Sequence, residues 1–161
     1  MQKIKLSKGE FALVDDKDFE WLNKYKWFAV KFKNSLYAKR NDWSSGKNKP
    51  IWMHREILKK HGIDIQGKII DHKDRNGLNN QSENLRLSTS SENHQNWHRI
   101  KGKSKYKGVY WHKQRNKWCA SIMLRYKHIS LGLFESEKLA AVAYNIGALI
   151  YFGQFAHLND F

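Results

Sequence analysis

Residues 67–98 decide the fold of this chain and read GKIIDHKDRNGLNNQSENLRLSTSSENHQNWH. An apolar pair predicts a short strand that ends in Asp71-His72, and residues 84–87 predict a second strand after a polar loop. A capping box at residues 89–92, with Thr first and Glu last, predicts the start of a helix that continues to Trp97. The stretch therefore predicts a strand, a loop, a second strand and a helix in close succession.

Four polar side chains in this stretch have a spacing that suggests hydrolytic chemistry. Asp71 and His72 are adjacent at a predicted strand end, where one side chain can hold a cation while the other faces a substrate. Asn84 follows in the second strand and Asn93 in the first turn of the helix. Carboxylate and amide oxygens are hard ligands that suit Mg²⁺. An imidazole can take a proton from an attacking water near neutral pH.

The same stretch resembles the phage and intron homing-endonuclease branch of the His-Asn-His (HNH) nucleases, over roughly residues 52–98. The resemblance implies a ββα-metal module that cleaves or nicks DNA. It implies that Asp71 and Asn93 bind one divalent cation, that His72 is the general base, and that Asn84 holds the hairpin and orients His72. The matching positions are Asp71-His72, Asn84-Leu85 and Glu92-Asn93-His94-Gln95-Asn96.

The predicted cofactor is Mg²⁺ or Mn²⁺, with one ion per active site. Asn93 stands where many HNH nucleases have a final histidine, and an oxygen-rich site favours these ions over Zn²⁺. His94 and His98 are spaced i, i+4 as zinc ligands can be, but no paired cysteines accompany them. The alternative for Asp71, His72 and Asn93 is a purely structural role. The loop residues Asn76, Asn79 and Asn80 are interpreted mainly as turn formers.

Charge is distributed unevenly along the chain. It has 161 residues, with 30 Lys and Arg against 15 Asp and Glu, a formal net charge of +15. The net charge is +8 over residues 1–62, zero over 63–100 and +7 over 101–161. Basic flanks favour a phosphate backbone through counterion release, so double-stranded DNA is the predicted partner. A merely solubilising surface would not explain the absence of acidic residues between Lys101 and Phe134.

Composition excludes several other classes of protein. Hydrophobic residues make up 40% and aromatic residues 14%, too many for a disordered basic tail. A single cysteine, Cys119, excludes an intramolecular disulfide framework and a multi-cysteine zinc ribbon. No apolar run approaches the roughly 20 residues of a membrane span, and the N-terminus does not resemble a signal peptide. We therefore expect a soluble, intracellular (cytoplasmic) protein, of a kind that phages encode, with no membrane partner.

The N-terminal third suggests structure rather than chemistry. Its charged and apolar residues alternate in short runs, which predicts a small β-rich segment. His54 is interpreted as a structural histidine that packs beside the core. The predicted elements are a strand at 11–14, a helix at 18–25, a hairpin over 26–40, a strand at 51–53 and a helix at 54–61.

The C-terminal third predicts an antiparallel sheet with one helix. Strands are expected at residues 108–112, 117–125 and, after a turn at Tyr126-Lys127, through residue 133. Strict alternation predicts one covered and one open face. Ser136 caps a helix whose apolar stripe is expected to cover the sheet. That stripe consists of Leu139, Val142, Ala143, Ile146 and Ile150.

This third resembles the plant ethylene-response-factor (Apetala-type) DNA-binding domain. The match is carried by Tyr106-Lys107-Gly108-Val109, Lys117-Trp118, Leu131-Gly132-Leu133-Phe134, Ala140-Ala141, Ala143-Tyr144, Phe152-Gly153 and Leu158-Asn159. The resemblance implies that the strands enter the DNA major groove, with contacts from Lys107, Tyr110, His112, Lys117, Ser121, Met123, His128 and Ser130. Lys113, Arg115, Arg125 and Lys127 are expected to contact phosphates. Several family arginines are replaced here, which predicts looser base readout.

The predicted fold class is α+β in three parts. They are an N-terminal accessory segment (1–51), an HNH ββα-metal nuclease module (52–100) and, after a basic linker (101–105), a DNA-binding domain with a three-stranded antiparallel sheet packed on one helix (106–161). The predicted function is a metal-dependent, site-directed, homing-type DNA endonuclease. It is expected to nick as a monomer on DNA, with a transient dimer as the alternative.

Two other functions compete with the endonuclease hypothesis. One is a non-catalytic, sequence-specific DNA-binding regulator with a degenerate nuclease fold. The other is an RNA-binding protein that uses exposed aromatic side chains, which a major-groove type of sheet disfavours.

Overall fold

The structure is a computed structural model that describes residues 1–32, 35–95, 103–125 and 127–161. The chain divides into two compact units, Met1–Thr89 and Ser90–Phe161. Helices and small antiparallel sheets occur in both, which confirms the predicted α+β class. No helix in the described ranges is long and apolar enough to cross a membrane. Several predictions concern positions outside the described residues. They are the turn at 33–34, the continuation of the helix through Asn96 and Trp97, linker positions 101–102, and Tyr126.

Three small antiparallel sheets and two helices form the first unit. The elements predicted from residue 11 onward are confirmed with shifts of a few residues at their ends, whereas the first strand was not predicted. In chain order the elements of the unit are β1 (Gln2–Lys5) paired with β2 (Phe11–Val14), helix α1 (Asp16–Leu22), the sheet β3 (Phe28–Phe32), β4 (Ser35–Asp42) and β5 (Lys49–Trp52), helix α2 (Met53–Lys60), and β6 (Ile69–His72) paired with β7 (Leu85–Ser88).

One apolar core holds the first unit together. Trp27 is 1% exposed, and its indole N–H donates to the Leu22 carbonyl at 2.8 Å, so its polar atom is satisfied inside the core. Burying side chains of this size provides the main stabilising free energy of the unit. The core residues are Ile4, Leu6, Ala12, Val14, Leu22, Trp27, Ala29, Ala38, Met53, Ile57, Leu58, Ile65, Ile70, Leu78 and Leu85.

Strand β2 also anchors the loop that follows β6. The Leu13 amide donates to the Leu78 carbonyl at 2.8 Å, and the Asn80 amide donates to the Leu13 carbonyl at 2.8 Å. These two bonds form a parallel bridge between β2 and the loop. The middle of the loop after His72 is therefore held by a strand from the start of the same unit.

The second unit contains the predicted three-stranded sheet and its helix. After the short helix α3 (Ser90–Gln95), strands β8 (Val109–His112), β9 (Lys117–Leu124) and β10 (Lys127–Phe134) form an antiparallel sheet in the order β10-β9-β8. Helix α4 (Glu137–Phe152) packs against all three strands. Trp118 packs against the core of this unit.

Of the five α4 residues predicted to cover the sheet, Ala143 packs against the core, but the prediction is wrong for the other four. Leu139, Ile146 and Ile150 are 57%, 56% and 73% exposed, and Val142 is 37% exposed. A Cβ atom added at Gly147 would lie 2.7 Å from a methyl carbon of Leu131, so at this position the helix approaches the sheet too closely for any side chain. The buried side instead carries small and aromatic residues: Ala140, Ala141, Tyr144, Gly147, Ala148 and Phe152.

Candidate functional site

The β6–β7 pair places Asp71 and His72 together at the end of β6. The register sets Asp71 opposite Arg86 and His72 opposite Leu85. Asp71 is 6% exposed and His72 is 4% exposed. A carboxylate and an imidazole are therefore adjacent at a strand end and largely withdrawn from water, where electrostatic interactions are stronger than in bulk solvent.

Arg86 holds the carboxylate of Asp71. Its Nε and Nη2 atoms donate to Asp71 Oδ2 at 2.8 Å and 2.6 Å. Bonds between a guanidinium and a carboxylate are charge-assisted and fix the orientation of both groups. Sequence reasoning missed Arg86, although residues opposite each other in a two-stranded pair are neighbours on one face and could have indicated it.

Aromatic rings pack around the imidazole of His72. The ring centroids of His54 and Tyr37 lie 5.3 Å and 5.7 Å from that of His72, both in edge-to-face arrangements. Desolvation lowers the pKa of His72, although an interaction with the Asn80 side chain and the charges of Asp74 and Asp71 act in the opposite direction. The neutral imidazole, which can accept a proton, is thus the favoured form near neutral pH.

His54 is a neutral member of the same aromatic group. Burial lowers its pKa to about 3, and the nearby charges of His72 and Arg55 add to this effect. Its Nδ1 is buried and has no hydrogen-bond partner among the described residues. Its ring also lies 5.9 Å from Tyr37 and 6.2 Å from Trp52. Sequence reasoning placed His54 beside the core but did not connect it with His72.

Asn84 closes the loop between the two strands. Its Oδ1 accepts from the Asp74 amide at 3.0 Å, and its Nδ2 donates to Asp74 Oδ1 at 2.9 Å and to the Asn79 carbonyl at 2.8 Å. Its backbone carbonyl also accepts from the Lys73 amide at 2.9 Å. All of these bonds go to the loop; orientation of His72 by Asn84 stays a prediction.

The loop asparagines have different roles. Asn76 accepts from the Leu78 amide at 3.1 Å, which is the turn chemistry expected of it. Asn79 donates to Asp74 Oδ2 at 2.7 Å and supports the same turn. Asn80 differs because it is fully buried and its Nδ2 donates to the Leu78 carbonyl at 3.1 Å, while its side chain interacts with the His72 ring. Composition alone did not distinguish Asn80 from its neighbours.

Asn93 lies on α3 in the second unit, with a half-buried side chain. The side chain of His94 and all of His98 lie outside the described part of the chain, and the zinc alternative for them stays untested. Within the described residues, no three His, Cys, Asp or Glu side chains cluster as ligands of one ion. A carboxylate with carboxamide oxygens fits a hard cation that keeps several waters. The assignment of Asp71 and Asn93 as metal ligands stays a prediction.

The predicted DNA-contact residues on the strands of the second unit share one face of its sheet. The register pairs Tyr110 with Cys119, His112 with Lys117, Ser121 with Ser130 and Met123 with His128, and paired residues point to the same side. Helix α4 packs on the other side, against Ala120 and Ile122. Tyr110 and Met123 are 44% and 55% exposed, and Lys113, Arg115, Arg125, Lys127, His128 and Ser130 are also exposed.

Two of the predicted DNA-contact lysines already have protein partners. Lys117 forms an ion pair with Glu135 at 2.8 Å. Lys107 donates through Nζ to the Gln95 carbonyl, and its backbone exchanges hydrogen bonds with the Asn159 side chain at 2.7 Å and 3.1 Å. These two lysines would have to exchange partners to contact a phosphate.

Residues 52–95 match a family model described as HNH endonuclease. Over 157 residues the chain is 32% identical to a protein of Acanthamoeba polyphaga mimivirus named uncharacterized HNH endonuclease L560, and the match covers 94% of this chain and 76% of that protein. The chain belongs to the HNH endonuclease family. An HNH endonuclease is an enzyme that hydrolyses DNA, and members of the family generally use a divalent metal ion. The resemblance based on Asp71-His72, Asn84 and Asn93 is thus confirmed at the level of the family.

Proposed function

We propose that this HNH endonuclease is a metal-dependent, homing-type enzyme that nicks one strand of double-stranded DNA at a chosen site. The observation that carries the proposal is the adjacency of Asp71 and His72 at the buried end of β6. A carboxylate that can ligate a cation and an imidazole that can accept a proton can together supply the metal site and the general base of phosphodiester hydrolysis.

His72 has the role of general base in the proposed reaction. Its neutral ring takes a proton from a water molecule, the water oxygen bonds to phosphorus, and the bond from phosphorus to the 3′ oxygen breaks. Asp71, fixed by Arg86, and Asn93 are the proposed ligands of one Mg²⁺ or Mn²⁺ ion. When bound, that ion would polarise the scissile phosphate and stabilise the leaving oxygen. One base with one ion acts on one strand, so a monomer produces a nick.

The second unit is proposed to dock on the DNA through the open face of its sheet. The exposed basic residues at the turns, Lys113, Arg115, Arg125 and Lys127, support this role. The likeness to the ethylene-response-factor domain, and the proposed division into an accessory segment (1–51), a nuclease module (52–100), a linker (101–105) and a DNA-binding domain (106–161), rest on the sequence. The few arginines on the open face favour loose base readout.

A pool of supercoiled plasmids with random inserts tests the proposed activity. With Mg²⁺ or Mn²⁺ the wild-type enzyme should convert a subset of plasmids to open circles, and sequencing of the nicked ends should reveal a shared site. Chelation of the metal should stop the reaction. His72→Ala should abolish nicking while its affinity for DNA in a gel-shift assay stays close to wild type. Linear products at the earliest times would contradict nicking, and equal loss of affinity in His72→Ala would contradict the role of general base.

A further inference from the structure

Tyr37 lies on β4 at the centre of the aromatic group that surrounds His72. Its ring centroid is 5.7 Å from His72 at an interplanar angle of 66°, 5.9 Å from His54 at 61° and 6.0 Å from Trp52 at 87°. All three contacts are edge-to-face, the geometry that aromatic pairs prefer. Tyr37 therefore contacts His72, the proposed base, and also the rings of His54 and Trp52.

The loop that follows His72 packs directly on the same tyrosine ring. A Cβ atom added at Gly77 would lie 2.7 Å from both Cδ1 and Cε1 of Tyr37 and would also overlap the Leu36 carbonyl oxygen. Only a glycine allows the loop to approach this closely. One side chain thus touches both His72 at the end of β6 and the loop that leaves it.

The phenol of Tyr37 stays in its protonated form. Burial raises the pKa of Tyr37, and the Asp71 charge acts in the same direction. The ring is packed against three other rings and against the loop at Gly77, so it has little freedom to rotate.

We propose that Tyr37 is a positioning residue that fixes the orientation of the His72 imidazole toward the scissile phosphate. The proposal rests on the proposed role of His72 as general base. A base must be held within about 10–20° of its productive orientation by neighbours whose own rotamers are locked. Tyr37 satisfies this requirement through its ring, since the ring is what contacts both His72 and the loop at Gly77.

Three substitutions distinguish the contributions of the Tyr37 ring, its hydroxyl and general packing to activity. Tyr37→Phe keeps the ring and should retain most of the activity. Tyr37→Leu removes the ring and should lower kcat for plasmid nicking by about 10- to 100-fold, the cost of a small misplacement of a reacting group, with KM almost unchanged. Phe32→Leu is the matched control: Phe32 contacts Tyr37 and Trp52 from an exposed position and should affect kcat little.

A readout that does not depend on activity accompanies the kinetics. In protein labelled at histidine, the His72 ring resonance, assigned by its loss in His72→Ala, should shift in Tyr37→Leu by more than the loss of the Tyr37 ring current accounts for, and stay in place in Tyr37→Phe and Phe32→Leu. Full kcat in a folded Tyr37→Leu, or an unchanged His72 resonance, would overturn the proposal. So would an equal kcat loss in Tyr37→Phe and Tyr37→Leu, since the ring would then not matter.

The two readouts also distinguish failure of this proposal from failure of the proposed function. If the wild-type enzyme does not nick DNA while the His72 resonance shifts as expected, the proposed function fails and the positioning of His72 by Tyr37 stands. If Tyr37→Leu does not fold, Tyr37→Phe still tests the proposal, because a displaced His72 resonance in that variant would overturn the role of the ring.

Discussion

The guanidinium of Arg86 donates two hydrogen bonds to one oxygen of Asp71, at 2.8 Å and 2.6 Å, across the β6–β7 pair. Both side chains are largely buried, at 9% and 7% exposure. A proposed metal ligand is thus held in place by a neighbour with the opposite charge. Neighbours of this kind orient a ligand before the ion binds, which lowers the entropic cost of binding.

Replacing Arg86 should make the stability of the enzyme depend on a divalent cation. Arg86→Met leaves the Asp71 carboxylate buried without its counter-charge, which costs about 3–5 kcal/mol of the free energy of unfolding. A bound Mn²⁺ ion would supply the missing positive charge, so Mn²⁺ should raise the urea midpoint more in Arg86→Met than in the wild type.

Arg40→Met is the matched control for this experiment. Arg40 pairs with Glu56 at 2.6 Å in the same unit, at 12% and 23% exposure, and neither residue is proposed as a metal ligand. Arg40→Met should lose stability without a larger response to Mn²⁺. An equal response in the two variants would count against Asp71 as a ligand.

His54 should make the first unit less stable as the pH falls below neutral. Its pKa is about 3 in the folded protein against an ordinary value of 6.5, so the unfolded chain binds a proton that the folded chain does not. Stability is therefore fully present above about pH 6.5 and declines by up to about 1.4 kcal/mol per pH unit toward pH 3. Urea unfolding across this range, compared with His54→Gln, measures the contribution.

His54→Gln should make the dependence of stability on pH less steep than in the wild type. Identical slopes in the wild type and His54→Gln would show that His54 is protonated as easily in the folded protein as in the unfolded chain.

The β6, β7 and α3 elements could be predicted from the sequence because each has a local signal. An apolar pair precedes Asp71, and a capping box precedes Asn93. The aromatic surroundings of His72 could not be predicted, because Tyr37 and His54 are distant in sequence and resemble ordinary strand and helix residues. Asn80 has the same composition signal as the turn residues Asn76 and Asn79, and only its burial distinguishes it.

The orientation of α4 could not be predicted for a different reason. The helix is apolar on two sides, so its periodicity does not identify the side that faces the sheet. Close packing decides it, because Gly147 and the alanines permit an approach that Ile146 and Ile150 would block. A pattern of small residues at helical spacing is the signal that would have indicated the buried side.

Substitutions on the two sides of α4 should therefore change the free energy of unfolding by different amounts. Ile150→Ser changes a side chain that is 73% exposed and should alter the free energy of unfolding by no more than about 0.5 kcal/mol. Ala148→Leu places extra methylene groups where the exposed fraction is 0% and should destabilise by about 1–3 kcal/mol. Urea unfolding compares the two. If Ile150→Ser lost more stability than Ala148→Leu, the side of α4 that the sequence predicted would be the one that faces the sheet.

The exposed basic residues at the turn between β9 and β10 should determine how strongly DNA binding depends on salt. Each phosphate contact that is lost should reduce the slope of log K against log salt concentration by about 0.9. Arg125→Ala with Lys127→Ala should therefore reduce the slope by about twice that amount, measured by fluorescence anisotropy over a salt series. Lys59→Ala with Lys60→Ala removes the same charge from exposed positions at the end of α2. If both pairs change the slope equally, net charge alone explains binding and the sheet of the second unit has no specific docking role.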